Sequence, residues 1–352
     1  MDTAAYLKGA IEKKASDIFF VVGQPVSYKI GGQLERQGAE NLQKGDTEEI
    51  VRTLYQMADN RDLKNGIDGD DDFALSIPGV GRFRANIFRQ RGTWSAVLRS
   101  VSFDLPDIAS MNIPDAVVGL SDQHKGLILV TGTAGSGKST TLSYIIDQIN
   151  QKRNCHILTL EDPIEFLHKH KKSIVSQREI SIDTVDYHTA LRAALREAPD
   201  VILIGEMRDL ATIEIAMTAA ETGHLVLSTL HTVGAANTID RVIDVFPANQ
   251  QQQIRVQLSM VLNAIVSQQL LPAVGGGLVP AFEILEANSA IRTMIRDGKV
   301  HQIDSVIYAS AKDGMKSMDA SILELYKAGR IDAGTAMAHC MNQDAMKRNV
   351  RL

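Results

Sequence analysis

Apolar positions along this chain follow two different rules. From residue 1 to about 102 they fall in short strand-like runs: Asp17 to Val22, Val26 to Ile30, Gln33 onward, Phe73 to Ile77, Arg82 to Phe88 and Thr93 to Val101. Gly31-Gly32 and Pro78-Gly79 separate consecutive runs and read as hairpin turns. Helical spacing covers Ala4 to Lys14 and Thr47 to Met57, so this part predicts a mixed α+β module. From Gly126 onward, fully apolar strands alternate with helices. The strands are Leu127 to Thr131, His156 to Leu160, Ser173 to Ser176, Val201 to Ile204 and Leu225 to Ser228. The helices are Lys138 to Gln151, Tyr187 to Glu197, Leu210 to Glu221 and Ala235 to Asp244. That alternation predicts an α/β domain with a mostly parallel sheet covered on both faces. After Gln250 the pattern predicts mainly helices, apart from Leu278 to Leu285, with a helical C-terminal part from about residue 287. Pro106 and Pro114 interrupt regular structure and place a linker at 103–115, between a domain at 1–102 and another at 116–352.

The junction between the first apolar strand and the first helix of the second domain carries the most specific chemistry. Gly132-Thr-Ala-Gly-Ser-Gly-Lys138-Ser139 is a Walker A loop in its proper context of strand, glycine loop and helix. Its glycines let successive backbone N–H groups converge on phosphate oxygens at a helix N-terminus, where the dipole also favours an anion. Thr133, Ala134, Gly135, Ser136, Gly137, Lys138, Ser139 and Thr140 are therefore the expected nucleotide contacts. Lys138 would lie against the β- and γ-phosphates of ATP, and the Ser139 hydroxyl would ligate Mg²⁺.

Composition narrows what the nucleotide could drive. A chain of 352 residues, 44% of them hydrophobic, has ample material for two cores. A formal charge of −5 and an aromatic content of 5% argue against a nucleic-acid partner, which calls for a basic track with stacking platforms. Cys155 and Cys340 cannot build a disulfide framework or a four-thiolate zinc site, which fits a reducing cytosol. No apolar run reaches bilayer length, so a cytoplasmic protein would meet a membrane only through partners.

Three further groups of residues point at the same nucleotide. The strand Val201 to Ile204 ends in Gly205-Glu206, with glycine at the usual aspartate position of such enzymes. The strand His156 to Leu160 ends in Glu161-Asp162, and carboxylates leaving a parallel strand face the ligand crevice of doubly wound sheets. Glu161 is the expected general base or water-orienting residue, Asp162 a Mg²⁺-shell ligand and Glu206 a second acid near the metal. Glu165 reads as a solvated acid. His231 ends a strand on the side of the crevice, where it could polarise the γ-phosphate, whereas His224 at the other end is as well explained structurally. Arginines cluster between Arg82 and Arg91, followed by Arg99. Arg82 and Arg84 share one strand face opposite Phe83 and Ala85, an arrangement that suits phosphate or nucleic-acid backbone and equally a plain exposed strand face, with a nucleotide on the P-loop domain the better explanation of the cluster.

Four segments in a fixed order carry a family likeness. Gly132 to Thr140, Ile157 to Glu165, Val201 to Asp209 and His224 to His231 resemble the Walker A, Asp box, atypical Walker B and His box of the type II/IV secretion ATPases. Within them the chain is most similar to the PilT-like type IV pilus retraction ATPases, and Ala290 to Arg296 resembles the C-terminal motif of that branch. The resemblance implies a PAS-like N-terminal domain and a RecA-like P-loop domain, arranged as a homohexamer. It also implies an ATPase motor that turns domain rotation into force on an inner-membrane pilus platform protein, with paralogous pilus ATPases as further partners. By the same resemblance Arg84 and Arg99 reach the phosphates, and Ala290 to Arg296 serves retraction and not hydrolysis, with Arg292 and Arg296 the pair to alter. The opposing assembly or secretion ATPase, an accessory retraction ATPase and a RecA-like nucleic-acid translocase are the alternatives.

Overall fold

The structure is a computed structural model that describes residues 2–58, 70–101, 105, 111–310 and 314–350. The chain divides into two compact units, Met1–Asp104 with Glu165–Leu167, and Leu105–Ile164 with His168–Leu352. Most of the expected linker, including Phe103 and Pro106, lies outside the described residues.

In the first unit, helix α1 (Thr3–Glu12) leads into strands β1 (Asp17–Phe20), β2 (Ser27–Ile30) and β3 (Gln33–Arg36). Helix α2 (Lys44–Met57) follows, then β4 (Asp71–Ile77), β5 (Gly81–Gln90) and β6 (Thr93–Val101). Among the described residues these strands form one antiparallel sheet in the order β3-β2-β1-β6-β5-β4. Gly31 and Gly32 both take positive φ, 57° and 84°, which is what a two-residue hairpin between β2 and β3 demands. Along β5 the buried residues Phe83, Ala85 and Ile87 alternate with the half-buried Arg82, Arg84 and Asn86. The buried side packs with Leu7, Ile18, Ile50 and Leu54 into one core.

The second unit opens with α3 (Asp115–Gly119), β7 (Gly126–Thr131) and α4 (Lys138–Lys152). Next come β8 (His156–Glu161), β9 (Ile174–Glu179), α5 (Tyr187–Ala194), β10 (Val201–Ile204), α6 (Leu210–Glu221), β11 (Leu225–Leu230) and α7 (Ala235–Asp244). Then α8 (Gln251–Val261) runs into β12 (Leu262–Pro272) and β13 (Leu278–Glu286), followed by α9 (Ser289–Arg296), α10 (Ile303–Ala309), α11 (Met318–Lys327), α12 (Ala333–His339) and α13 (Gln343–Lys347). The sheet order is β13-β12-β7-β11-β10-β8-β9, parallel throughout except for the β12–β13 pair.

The strands β7, β10 and β11 are buried at every position, so each feeds two cores. Leu127, Leu129, Leu158, Ile202 and Val226 face one cluster, shared with residues of α5 to α8. Ile128, Val130, Ile157, Val201 and Leu227 face another, shared with Leu142, Ile145 and Ile149 of α4. The strand period of two sorts neighbouring residues to opposite layers.

One expectation fails. The stretch after Gln250 is not mainly helical up to Leu278: β12 has eleven residues and lies inside the sheet between β7 and the edge strand β13. The helix α8 passes into it with neither Gly nor Pro to mark the change: Leu262 switches to φ −65°, ψ 123°, and Asn263 follows it as the second residue of the strand. A strand buried on both faces also lacks the alternation that betrays a half-exposed one.

Candidate active site

Parallel register decides which side chains meet. Thr131 of β7 lies opposite Leu230 of β11 and Ser267 of β12, and Ile204 of β10 lies opposite Leu160 of β8 and Ser228 of β11. The residues that follow these strand ends, Gly132, His231, Gly205-Glu206 and Glu161-Asp162, therefore emerge along one edge of the sheet. That edge is where open α/β sheets hold their ligands.

The glycine loop is shaped by its neighbour β12. A Cβ at Gly132, whose φ is 142°, would lie 2.3 Å from the backbone oxygen of Gln268. A Cβ at Gly137, with φ 89°, would lie 2.8 Å from the Gln268 side-chain nitrogen. Gly135 takes φ 75° in open space, so it answers to backbone conformation alone. Gln268 is buried, and its Oε1 accepts a hydrogen bond of 2.7 Å from the Thr141 hydroxyl in the first turn of α4. Helix α4 begins at Lys138, placing its N-terminus at the loop. Lys138 is buried, with Nζ donating to the carbonyls of Gly132 and Thr133 at 2.9 Å each. The Ser136 hydroxyl is buried with no hydrogen-bond partner among the described residues. A buried donor of this kind, beside a cation and a helix N-terminus, fits a phosphate. Thr133, Ala134 and Gly135 are exposed at the loop tip, and Ser139 and Thr140 are half-buried at the start of α4.

The acids leave the sheet two and three strands away from the loop, at the ends of β10 and β8. Glu161 is buried at the end of β8, where it accepts from Thr159 Oγ1 at 2.6 Å and from Gln177 Nε2 of β9 at 3.2 Å. Glu206, equally buried, pairs with the Arg208 guanidinium through one oxygen and with His231 Nε2 at 3.0 Å through the other. Asp162 is exposed beside them. The structure thus brings Glu161, Asp162, Glu206 and His231 together. Tyr187, the first residue of α5, completes the group: a Cβ on Gly205 would lie 2.7 Å from its hydroxyl oxygen. Burial first, then the charges of Asp162, Glu206 and Glu161, push the Tyr187 pKa well above the ordinary phenol value.

A family model described as type II/IV secretion system protein matches residues 2–312. The chain belongs to this family. It is 41% identical to the type IV pilus retraction ATPase PilT of Pseudomonas aeruginosa over 336 residues, 96% of this chain and 97% of that one. It is 46% identical to a twitching motility protein of Neisseria gonorrhoeae over 276 residues, 78% of this chain and 74% of that one. Among solved structures, a pilus retraction motor PilT with bound ADP superposes at a TM-score of 0.86 with 45% identity, covering 97% of this chain and 98% of that one. The present chain is accordingly a PilT-like type II/IV secretion ATPase, an enzyme that hydrolyses ATP.

Arg84 and Arg99 of this secretion ATPase stand on one sheet face, directly opposite each other in the β5–β6 register. Arg99 also donates from Nε to Asp17 Oδ1 at 3.0 Å, so the start of β1 supplies its counter-charge. His224 bonds through Nδ1 to the Ala219 carbonyl at 2.9 Å at the end of α6, a structural role. In the C-terminal motif, Ile291 and Ile295 are core residues, as their spacing suggests. Arg292 proves to be no free surface probe: its Nη1 donates to the Ser259 and Met260 carbonyls at 2.7 and 2.8 Å, closing the last turn of α8. Three residues of the site, Gln268, Gln177 and Tyr187, carry no sequence signal that singles them out, whereas Arg208 lies inside the Val201 to Asp209 segment, two residues after its partner Glu206. Gln268 lies on the strand whose pattern reads as helix, and the other two belong to none of the four motif segments.

Among the described residues no three His, Cys, Asp or Glu side chains gather to hold a metal by themselves. No helix among them is long and apolar enough to cross a membrane.

Proposed function

We propose that this ATPase powers type IV pilus retraction, as a homohexameric cytoplasmic motor that hydrolyses ATP and works on an inner-membrane platform protein. The observation that carries the reading is the convergence of the glycine loop, Glu161, Glu206 and His231 at one sheet edge, in a chain similar over nearly its whole length to a pilus retraction ATPase. Lys138 and the loop N–H groups from Thr133 to Thr140 bind the phosphates. Glu161 orients the attacking water and takes its proton, held in place by Thr159 and Gln177. Glu206 and His231 form a hydrogen-bonded pair positioned to sense the γ-phosphate. Ser139 and Asp162 would hold Mg²⁺, which supplies neutralisation of phosphate charge.

Arg84 and Arg99 act as the arginine pair that stabilises the transferring phosphoryl group, from an N-terminal domain that we read as PAS-like. Two guanidiniums opposite each other across a strand pair repel, and Asp17 offsets that repulsion beside Arg99. An arriving polyanion relieves the remainder. Domain rotation around the ring then couples turnover to movement. Deleting the gene and imaging surface pili tests the reading. Excess pili that fail to retract are expected, whereas bald cells would assign the chain to pilus assembly.

A further inference from the structure

Helix α7 begins four residues after His231 and is capped from outside its own sequence. The helices α5, α6 and α9 each use the side chain just before them, Asp186, Asp209 and Asn288. At α7 that position is Gly234, which has no side chain to offer and takes φ 90°, ψ 143°. Two of the N–H groups left over at this helix end go to the sheet instead: Gly234 donates to Ser267 Oγ of β12 at 2.9 Å, and Ala235 to Glu283 Oε1 of β13 at 2.7 Å. Ser267 and Glu283 are both buried and stand directly opposite each other in the β12–β13 register. The second oxygen of Glu283 accepts from the N–H of Met318, the first residue of α11, at 3.4 Å, so the carboxylate is fixed from two sides. From this anchor the chain runs back to His231 without slack. Asn237 Nδ2 donates to the Val233 carbonyl at 2.9 Å, Thr238 Oγ1 donates to the Gly234 carbonyl at 2.8 Å, and the Thr232 and Thr238 hydroxyls bond each other at 2.8 Å. The residue after Ser267 is Gln268, which points to the opposite face of β12 and supports the phosphate loop through Thr141. One strand thus holds the phosphate loop with one residue and the start of α7 with the next.

We propose that Ser267 and Glu283 are positioning residues for ATP hydrolysis: by holding the start of α7 they set where His231 stands at the phosphate edge. This rests on the reading of His231 as a group that acts at the γ-phosphate. The segment from Thr232 to Gly234 is tied to α7 by side chains of α7 itself, so it moves with the helix and carries His231 with it. A displacement of about 1 Å in a group at the reacting atoms is enough to cost turnover heavily, even when its cause lies away from the chemistry. Glu283→Gln keeps the shape of the side chain but replaces one acceptor oxygen by an amide that only donates, which leaves either the Ala235 or the Met318 N–H without a partner. Ser267→Ala removes the acceptor of the Gly234 N–H and leaves the carboxylate in place.

Steady-state ATPase measurements on the full-length protein test this, with Ser267→Ala, Glu283→Gln, His231→Ala and the two double variants that add His231→Ala to each of the others. Ser267→Ala and Glu283→Gln should each lower kcat about tenfold and leave KM within about twofold of wild type, because the phosphate loop keeps its own support from Gln268. In the His231→Ala background the same changes should lower kcat further by less than about twofold, since residues that act through one group do not add. A merely structural role would lower the melting temperature and give losses that multiply in the double variants. The proposal is overturned if Ser267→Ala and Glu283→Gln keep wild-type kcat while His231→Ala is impaired, or if their losses multiply with that of His231→Ala; either result leaves His231 at the nucleotide. Wild-type turnover in His231→Ala would instead remove the reading of His231, and the proposal with it. Should Glu283→Gln not fold, Ser267→Ala decides alone by the same criteria.

Discussion

Alanine at Gly132 and at Gly135 should have very different consequences, although both sit in the same loop and both take positive φ. At Gly135, φ 75° carries a left-handed penalty of roughly 1–2 kcal/mol for a residue with a Cβ. The reduced entropy of the unfolded chain returns roughly 0.4–1 kcal/mol of that. With nothing within 4 Å of the new methyl group, the net loss is about 1 kcal/mol or less. At Gly132, φ 142° lies outside even the left-handed region, and the added carbon would sit 2.3 Å from the backbone oxygen of Gln268 and 2.6 Å from Ser136 Oγ. A backbone atom of an interior strand, paired with β13 on one side and β7 on the other, cannot swing aside like the end of a side chain. Strain of roughly 1–3 kcal/mol and overpacking of similar size add to about 4 kcal/mol. For a unit of this size each kcal/mol moves the melting temperature by about 2–4 °C. Thermal unfolding of both variants without nucleotide should therefore give a fall of about 8–16 °C for Gly132→Ala against about 4 °C or less for Gly135→Ala. Equal, small shifts would refute the placement of β12 against the loop.

Three other perturbations follow from the same geometry. Arg84→Lys and Arg99→Lys should bind ATP nearly normally but lose about 10²-fold or more in kcat, because a point charge on a flexible stem replaces a planar fork; wild-type turnover in both would assign the arginine pair to another surface. Arg292→Ala removes two charge-assisted bonds from the end of α8 and should lower stability by about 1.5–3 kcal/mol in a denaturant titration; an unchanged midpoint would refute that role. His168 is held down to about 4 by burial, so it folds neutral. Its contribution is fully present above pH 6.5 and is lost as pH falls through about 4. The wild-type melting temperature should therefore drop more steeply than that of His168→Gln across this window, and parallel curves would contradict it.

Much of the architecture was legible because parallel strands and their helices leave distinct periods. The helices Leu210–Glu221 and Ala235–Asp244 match their sequence boundaries at both ends, and Asp209 caps the first by accepting from the Thr212 N–H. The loop and the acids were readable because chemistry fixed their residue types at strand ends. What stayed hidden was lateral. Gln268 supports the loop from β12, and its partner Thr141 stands 127 residues earlier in the chain. Gln177 reaches Glu161 from the neighbouring strand β9, and Tyr187 reaches Gly205 from the start of a helix. Such pairings follow from strand order, and strand order is not written in any local pattern.

If hydrolysis at this sheet edge drives retraction, removing the water-activating carboxylate must stop it. Fluorescently labelled pili should be followed in living cells that lack the gene and carry either the wild-type chain or Glu161→Gln, expressed at equal levels. Retraction events should return with the wild-type chain and stay absent with Glu161→Gln, although that variant still binds ATP. Retraction restored by Glu161→Gln, or persisting undiminished in the deleted strain, would contradict it.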